Sequence, residues 1–375
     1  MTSTTSEQDE MLKASVADFV ARGTDIARVR RLRGTPQEFD RDIWRQMAEL
    51  GWLGVAVPEA YGGMGLGVRE AALVAGGLAR ALTPEPYAAS AVLAAGALAA
   101  SANEPLKQAL LPAFVSGERV LSLAWQETAG ALDGAHIALR ATPFEGGYRL
   151  SGTKRYIPGA AGADVFVVAA RAHDGLVLAC VDAGTQGVTL DLDPIADGRH
   201  FGTLTLEDAV APRDSVAATG QAAAAALERA LDHTRAVAAA ELHGVMAKAL
   251  DMSVDYMKTR VQFGKPIGSF QALQHRAVDL YIQQQLSSAV LDEGLRELAR
   301  EPQAERRAAI ASRLKARCAE AGVRICREAI QIHGAIGFTD EFDVGLYLKR
   351  ALVLAAWLGN AGQHRRRYAG LTLTA

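Results

Sequence analysis

The stretch Arg260-Val-Gln-Phe-Gly-Lys-Pro-Ile-Gly-Ser-Phe-Gln271 forms a break between two helical patterns. Apolar residues recur at spacings of three, four and seven over 221–259, and a second such pattern follows over 270–298. Gly264 and Pro266 interrupt the helix between them, so the stretch predicts a sharp corner. A guanidinium fixed at such a corner suits a phosphate, with which it forms paired hydrogen bonds. Taken alone, the stretch also fits an ordinary turn with a surface arginine.

The composition of the 375-residue chain excludes several classes of protein. Hydrophobic residues make up 50% of it, which supplies a large core, and the net charge of -2 comes from well-mixed acidic and basic residues. This balance argues against a nucleic-acid-binding protein. No apolar run reaches the roughly 18 residues needed to cross a bilayer. The first ten residues also lack the basic and apolar parts of a signal peptide. We therefore expect a soluble, cytoplasmic protein without a membrane span.

The cysteines give no sign of a metal site. Cys180, Cys318 and Cys326 show neither CxxC spacing nor nearby paired histidines. We therefore expect no metal and no disulfide framework, and we interpret Cys318 and Cys326 as small core side chains.

The first third of the chain has a helical pattern. Residues 7–118 contain several amphipathic segments, and one of them has a start signal in which Thr35 is the N-cap and Glu38 lies three residues further on. A glycine-rich segment, 62–67, interrupts this region and permits close backbone approach. We expect a helical N-terminal domain.

The hydrophobic period then changes twice. Six short alternating runs between about 119 and 215 predict strands of a compact antiparallel barrel or sandwich. The helical period returns in 221–259, 270–298, 302–332 and 341–357. We therefore predict a mainly α protein with a small antiparallel β domain, made of an N-terminal helical domain (1–118), a central β domain (119–215) and a C-terminal four-helix bundle (216–375).

Four motifs follow one another along this architecture. They are Val57-Pro-Glu-Ala-Tyr-Gly-Gly-Met-Gly65, Leu150-Ser-Gly-Thr-Lys-Arg-Tyr-Ile-Pro158, Arg260-Val-Gln-Phe-Gly264 and Gln331-Ile-His-Gly-Ala-Ile-Gly-Phe338. In this order and spacing they resemble the flavin-dependent acyl-CoA dehydrogenases, and the resemblance covers essentially the whole chain.

The resemblance implies the α,β-dehydrogenation of an acyl-CoA thioester. A carboxylate removes the acidic hydrogen beside the thioester carbonyl, and the neighbouring carbon passes a hydride to FAD. Members of the family form tetramers, with each FAD lying across a subunit boundary. An electron-transfer flavoprotein or a similar acceptor is the implied electron partner.

The same resemblance assigns cofactor-binding residues. The phosphate and adenosine end of FAD would lie on Arg260, Phe263, Gln271, Gln331 and Gly334. The flavin ring would lie against the β domain near Trp125, Gln126, Ile157 and Pro158. Arg235, on the long helix, is a weaker candidate for a role facing the substrate.

Two departures from the family pattern lie among the residues expected near the flavin ring. Gln126 stands where the family has a hydroxyl side chain, and its amide can still donate and accept. Pro158 stands where a threonine normally reaches the flavin. Since proline has neither a hydroxyl nor a backbone N–H, that contact is lost.

The largest departure concerns the catalytic base. Leu358 occupies the position of the C-terminal glutamate found in many members, and Thr234 occupies the alternative position on the long helix. Neither side chain is a base at neutral pH, so the catalytic residue is unknown.

Three explanations remain open. The first is that the base lies at another position. The acidic residues nearest the four motifs are Glu59, Asp232, Glu241 and Glu341. Alternatively, the chain is a non-catalytic subunit of a heteromeric dehydrogenase and completes a partner's FAD site. The third is a flavin monooxygenase of the same fold. The first hypothesis remains a catalytic subunit that binds FAD and acts on an acyl-CoA.

Two histidine-containing segments have structural interpretations. His333 lies near a helix end, where a protonated ring would favour the helix dipole. The cluster His364-Arg-Arg-Arg367 is interpreted as a solvated helix end, with contact to CoA phosphates as the alternative.

Overall fold

The computed structural model describes residues 4–23 and 26–373, and its N-terminal part is helical as predicted. In this described part, six α-helices precede the sheet: α1 (Thr4–Gly23), α2 (Ile26–Leu32), α3 (Arg41–Glu49), α4 (Val68–Ala79), α5 (Ala95–Ala99) and α6 (Glu104–Val115). A π-helical segment, Ala88–Ala94, leads directly into α5. None of the helices in the described residues is long and apolar enough to cross a membrane.

The start of α3 differs from the prediction. The N-cap is Asp40 rather than Thr35, and its carboxylate accepts a hydrogen bond from the backbone of the first helical turn. The Thr35 hydroxyl instead closes a preceding turn. The capping-box interpretation was wrong because Glu38 has a tertiary role. It is buried and accepts a hydrogen bond from the backbone N–H of His200.

The central strands form one mostly antiparallel sheet, which confirms the predicted small β domain. Its strands are β1 (Leu121–Ala124), β2 (Arg140–Phe144), β3 (Gly147–Pro158), β4 (Val165–Ala172), β5 (Gly175–Asp182), β6 (Val188–Pro194), β7 (His200–Pro212) and β8 (Val216–Thr219). The order is β6-β7-β3-β2-β4-β5-β8, and β1 pairs in parallel with β4. Sequence reasoning missed β2 and β8. β2 has no alternating pattern to detect, because four of its five residues are exposed.

The C-terminal part is a helical bundle, as predicted. It contains α7 (Gly220–Thr259), a two-stranded hairpin of β9 (Val261–Gln262) and β10 (Lys265–Pro266), α8 (Gln271–Leu298), α9 (Ala304–His333), α10 (Val344–Ala356) and α11 (Ala361–Thr372). The bounds of α7 to α10 lie within a few residues of the four predicted segments, whereas α11 is a fifth helix that the four-helix prediction did not include. The long helices are consistent with the uninterrupted apolar periodicity of the sequence.

The backbone contacts divide the chain into two compact units. The first comprises 1–30, 72–83 and 235–375, and the second comprises 31–71 and 84–234. Both units therefore draw on the N-terminal helical region. The three-domain boundaries derived from the sequence stay a prediction.

Candidate functional site

The 260–271 corner is built by a tight hairpin at the end of α7. The backbone N–H of Arg260 donates to Tyr256 at 2.9 Å, and the Arg260 carbonyl accepts from Ile267 at 2.8 Å. Between the two short strands, Phe263 and Gly264 both have positive φ, at 52° and 78°. Two such residues form the primed turn that suits a two-residue hairpin.

Phe263 is the most unusual residue of this corner. Its side chain is 91% exposed, and a phenylalanine with positive φ carries backbone strain. Strain combined with an exposed aromatic ring is typical of a residue that meets a ligand or a partner. Arg260 and Gln271 are exposed in the same short segment. The structure therefore presents three of the predicted nucleotide-binding side chains together.

The second half of the predicted nucleotide site lies at the end of α9. Gln331 is exposed in the last turn, and Gly334 caps the helix with a φ of 66°. A Cβ built at Gly334 meets nothing within 4 Å, so the backbone there is open to a ligand. This segment belongs to the same compact unit as the 260–271 corner.

The predicted ring-binding residues in the β domain are much less available. Trp125 is 4% exposed, and Ile157 is 1% exposed and packs in the core of the sheet. Their side chains pack inward, and the assignment of these two residues to the flavin ring stays a prediction. The Gln126 amide donates to the carbonyl of Thr128 at 2.9 Å. The Pro158 carbonyl accepts from Ser122 at 3.0 Å.

A buried ion pair next to this loop was missed by sequence reasoning. The ammonium of Lys154, which is 0% exposed, lies 2.6 Å from the Glu127 carboxylate and 3.1 Å from the carbonyl of Trp125. Burial lowers the pKa of Lys154 to about 8, against the opposing effect of Glu127. The alternation of residues along β3 could have indicated that Lys154 is buried, because it lies on the same inward face as Leu150.

Both positions at which the family carries its base hold buried, non-ionisable side chains. Leu358 is 2% exposed and has a φ of 58°. Thr234 is 0% exposed, and its hydroxyl donates to the carbonyl of Ala230 at 2.7 Å. Neither residue can accept a proton from a substrate carbon.

Two buried side chains, Lys315 and His364, form hydrogen bonds with the turn that carries Leu358. Lys315 donates to the carbonyls of Ala355 and Gly359 at 3.2 and 2.8 Å. The Leu358 carbonyl lies 2.9 Å from Nε2 of His364. Burial lowers the pKa of Lys315 to about 7 and that of His364 to about 2. His364 is therefore a neutral core residue, and its interpretation as part of a solvated basic cluster was wrong.

Arg235 is directed at the same turn. Its side chain is fully buried, and Nε lies 3.5 Å from the Leu358 carbonyl. This contact gives Arg235 a structural role in holding the turn. Its substrate-facing role stays a prediction.

The four acidic residues considered as a displaced base have different surroundings. Glu241 forms an ion pair with Arg350 at 2.9 Å. Glu59 and Glu341 are exposed, whereas Asp232 is buried. Among the described residues, no group of three or more His, Cys, Asp or Glu side chains could hold a metal ion.

The residues predicted for the two ends of a flavin dinucleotide differ in their exposure. The exposed guanidinium, the exposed strained aromatic ring and the open glycine cap suit a nucleotide. At the predicted ring end, Trp125 and Ile157 are buried and Pro158 has no backbone N–H. The exposed residues of the predicted nucleotide end all belong to the first compact unit.

Comparisons with known proteins agree with this fold. Two family models match the chain, the acyl-CoA dehydrogenase N-terminal domain over residues 6–118 and the acyl-CoA dehydrogenase C-terminal domain over residues 223–370. A relative described as acyl-CoA dehydrogenase FadE27, from Mycobacterium tuberculosis, is 34% identical over 90% of this chain and 90% of its own length.

Two solved structures extend the similarity to three dimensions. One is described as the ChsE4-ChsE5 complex from Mycobacterium tuberculosis, with 31% identity, a TM-score of 0.89 and coverage of 100% and 99% of the two chains. The other is described as a variant of the Tcur3481-Tcur3483 steroid ACAD, with 30% identity, a TM-score of 0.89 and 99% coverage of each chain. Helical regions at both ends of the chain and a central β domain define the class of fold. The chain belongs to the acyl-CoA dehydrogenase family.

Proposed function

We propose that this chain is one subunit of a heteromeric, FAD-dependent acyl-CoA dehydrogenase and that a paralogous partner supplies the catalytic base. The observation that carries the proposal is the pair of buried, non-ionisable residues, Leu358 and Thr234, at both family base positions. A buried leucine and a hydroxyl bonded to its own helix have no proton-accepting role.

The contribution of this chain is the nucleotide end of the cofactor site. Arg260 would pair with a phosphate, Phe263 would cover an apolar ring, and Gly334 would let the backbone approach closely. FAD supplies the hydride acceptor for dehydrogenation of the acyl-CoA. The burial of Trp125 and Ile157 and the missing N–H of Pro158 support a ring site located mainly on the partner.

Two further observations support a partner of the same fold. The two neighbours above are described by pairs of protein names, ChsE4-ChsE5 and Tcur3481-Tcur3483. In addition, α8 exposes an apolar stripe at helical spacing, made of Val278, Tyr281, Ile282 and Leu286, each 46 to 56% exposed. A stripe of this kind on a surface helix is suited to pack against another chain.

The test compares the chain alone with the chain co-expressed with a paralogue that carries the missing glutamate. We expect the chain alone to be colourless and the co-purified complex to show flavin absorbance. Anaerobic addition of an acyl-CoA should then bleach the flavin of the complex. A steroid-CoA thioester is the first substrate to try, because one neighbour is described as a steroid ACAD.

The opposite outcome is that the chain binds flavin without a partner. A yellow chain that is purified alone and is bleached by an acyl-CoA would overturn the proposal in favour of a catalytic subunit with a displaced base. A paralogue variant with its glutamate changed to glutamine is the matched control. It should still assemble and bind flavin but should not be bleached.

A further inference from the structure

Three aromatic rings join the two halves of the predicted nucleotide site. Tyr256 lies on α7 one turn before Arg260, His333 is the last residue of α9, and Phe342 lies in the turn before α10. The ring centroids of Tyr256 and His333 are 4.5 Å apart, with an interplanar angle of 29°. Those of His333 and Phe342 are 4.7 Å apart, and those of Tyr256 and Phe342 are 6.1 Å apart, so His333 is the ring nearest to both others. We call this group the aromatic stack.

Hydrogen bonding fixes the state of the central ring. Nδ1 of His333 lies 2.7 Å from the carbonyl of Ala329, and because a carbonyl can only accept, Nδ1 carries the proton. Nε2 is buried without a hydrogen-bond partner, so a second proton there would have no acceptor. Burial lowers the pKa of His333. The ring is therefore neutral, and the interpretation of His333 as a charge that favours the helix dipole was wrong.

The environment of His333 leaves little room for movement. The residue is 3% exposed, and a Cβ added at Gly337 would lie 3.1 Å from the Cβ of His333. The Tyr256 carbonyl accepts the backbone N–H of Arg260, and Gly334 directly follows His333. A shift of the ring would therefore displace both segments that carry the predicted nucleotide contacts.

We propose that His333 is a positioning residue for the nucleotide end of FAD, because its ring sets the separation between the Arg260 corner and the Gly334 turn. This inference rests on the proposed function. What His333 contributes is the shape and stacking of a neutral aromatic ring, since offset aromatic pairs have preferred geometries. Neither its charge nor direct contact with the cofactor is involved.

The experiment uses the assembled complex and compares three variants. His333→Ala removes the central ring, His333→Phe keeps a neutral ring in the stack, and Arg324→Ala changes an exposed residue of the same helix. FAD affinity is measured by reconstitution of the apo complex, and the melting temperature is measured in parallel. We expect His333→Ala to weaken FAD binding by about tenfold, which corresponds to about 1.4 kcal/mol. His333→Phe should stay within about twofold of the wild type, and Arg324→Ala should not differ from it.

Rescue by phenylalanine is the decisive result. If His333→Phe loses FAD as severely as His333→Ala, or if neither variant loses it, the positioning role is overturned. Should His333→Ala fail to fold, Phe342→Leu provides the second variant, because it removes an outer ring from the stack. We expect it to weaken FAD binding, and unchanged affinity would overturn the inference. Absence of FAD from the wild-type complex would instead refute the proposed function.

Discussion

Arg260 is the residue on which the cofactor assignment depends most directly. Its guanidinium is exposed at the end of a hairpin whose backbone is hydrogen-bonded, and the planar fork of the side chain matches the geometry of a phosphate. Hydrogen bonds to a charged group contribute about 1.5–3 kcal/mol. This range corresponds to a factor of roughly 10 to 150 in affinity.

Arg260→Ala should therefore lower the FAD affinity of the assembled complex by at least about tenfold. Fluorescence titration of the apo complex with FAD measures this change. Lys258→Ala is a matched control, because it removes the same charge two residues earlier from a side chain that is 70% exposed and near Asp255. Equal affinity of the two variants would show that the corner does not hold the phosphate.

Lys315 is expected to make the stability of the protein depend on pH. Its pKa in the folded chain is about 7, below the ordinary value of 10.5, because burial penalises the charged form. Between these two values the unfolded chain binds more protons than the folded chain. The contribution of Lys315 therefore makes the protein more stable as the pH rises from about 7 towards 10, with a slope of up to about 1.4 kcal/mol per pH unit.

Lys315→Met should flatten this pH dependence. The variant loses the hydrogen bonds to Ala355 and Gly359, but it also loses the titrating group. Urea unfolding midpoints of both proteins, measured at several values between pH 7 and 10, test the prediction. Parallel curves for the two proteins would show that Lys315 does not titrate in this range.

At the scale of elements, close helix packing depends on small residues. α4 and α7 meet where a Cβ added at Gly244 would lie 2.1 Å from the carbonyl oxygen of Gly76. No side chain can occupy that space without moving a backbone. The glycine is required here by the approach of the two helices, and not by its own φ.

Gly244→Ala should destabilise the protein by about 1–3 kcal/mol through overpacking. Gly96→Ala on α5 is the control, because a Cβ there meets nothing within 4 Å. The control should be neutral or stabilising by up to about 1 kcal/mol, since alanine favours helices. Thermal melts of both variants decide the matter, and equal melting temperatures would contradict the packing argument.

At the scale of the whole molecule, the sheet depends on the N-terminal region of its own compact unit. Arg41 pairs with Asp164 at 2.9 Å, and the backbone N–H of Gly34 donates to Gly198 at 2.8 Å. A Cβ added at Gly162 would lie 2.1 Å from the ring of Phe39. The predicted β domain therefore shares its packing with residues outside its predicted bounds.

A fragment of residues 119–215 should consequently not fold by itself. Without segment 31–71 it loses these contacts, and it exposes apolar surface to water. We expect circular dichroism to show no cooperative thermal transition, in contrast to the full chain. A sharp transition of the isolated fragment would support the three-domain boundaries derived from the sequence.

The amino-acid sequence determined the fold class, the order of helical and β regions, the family motifs and the absence of a carboxylate at positions 234 and 358. Such features are local, because periodicity, breaker residues and motif spacing act over a few residues to a few turns. Only the tertiary structure decided that Asp40 caps α3, that Ile157 faces the sheet core, that Lys154 and Lys315 are buried and that His333 packs against two aromatic rings. Each of these depends on burial or on contacts between segments distant in the chain, which no local pattern specifies.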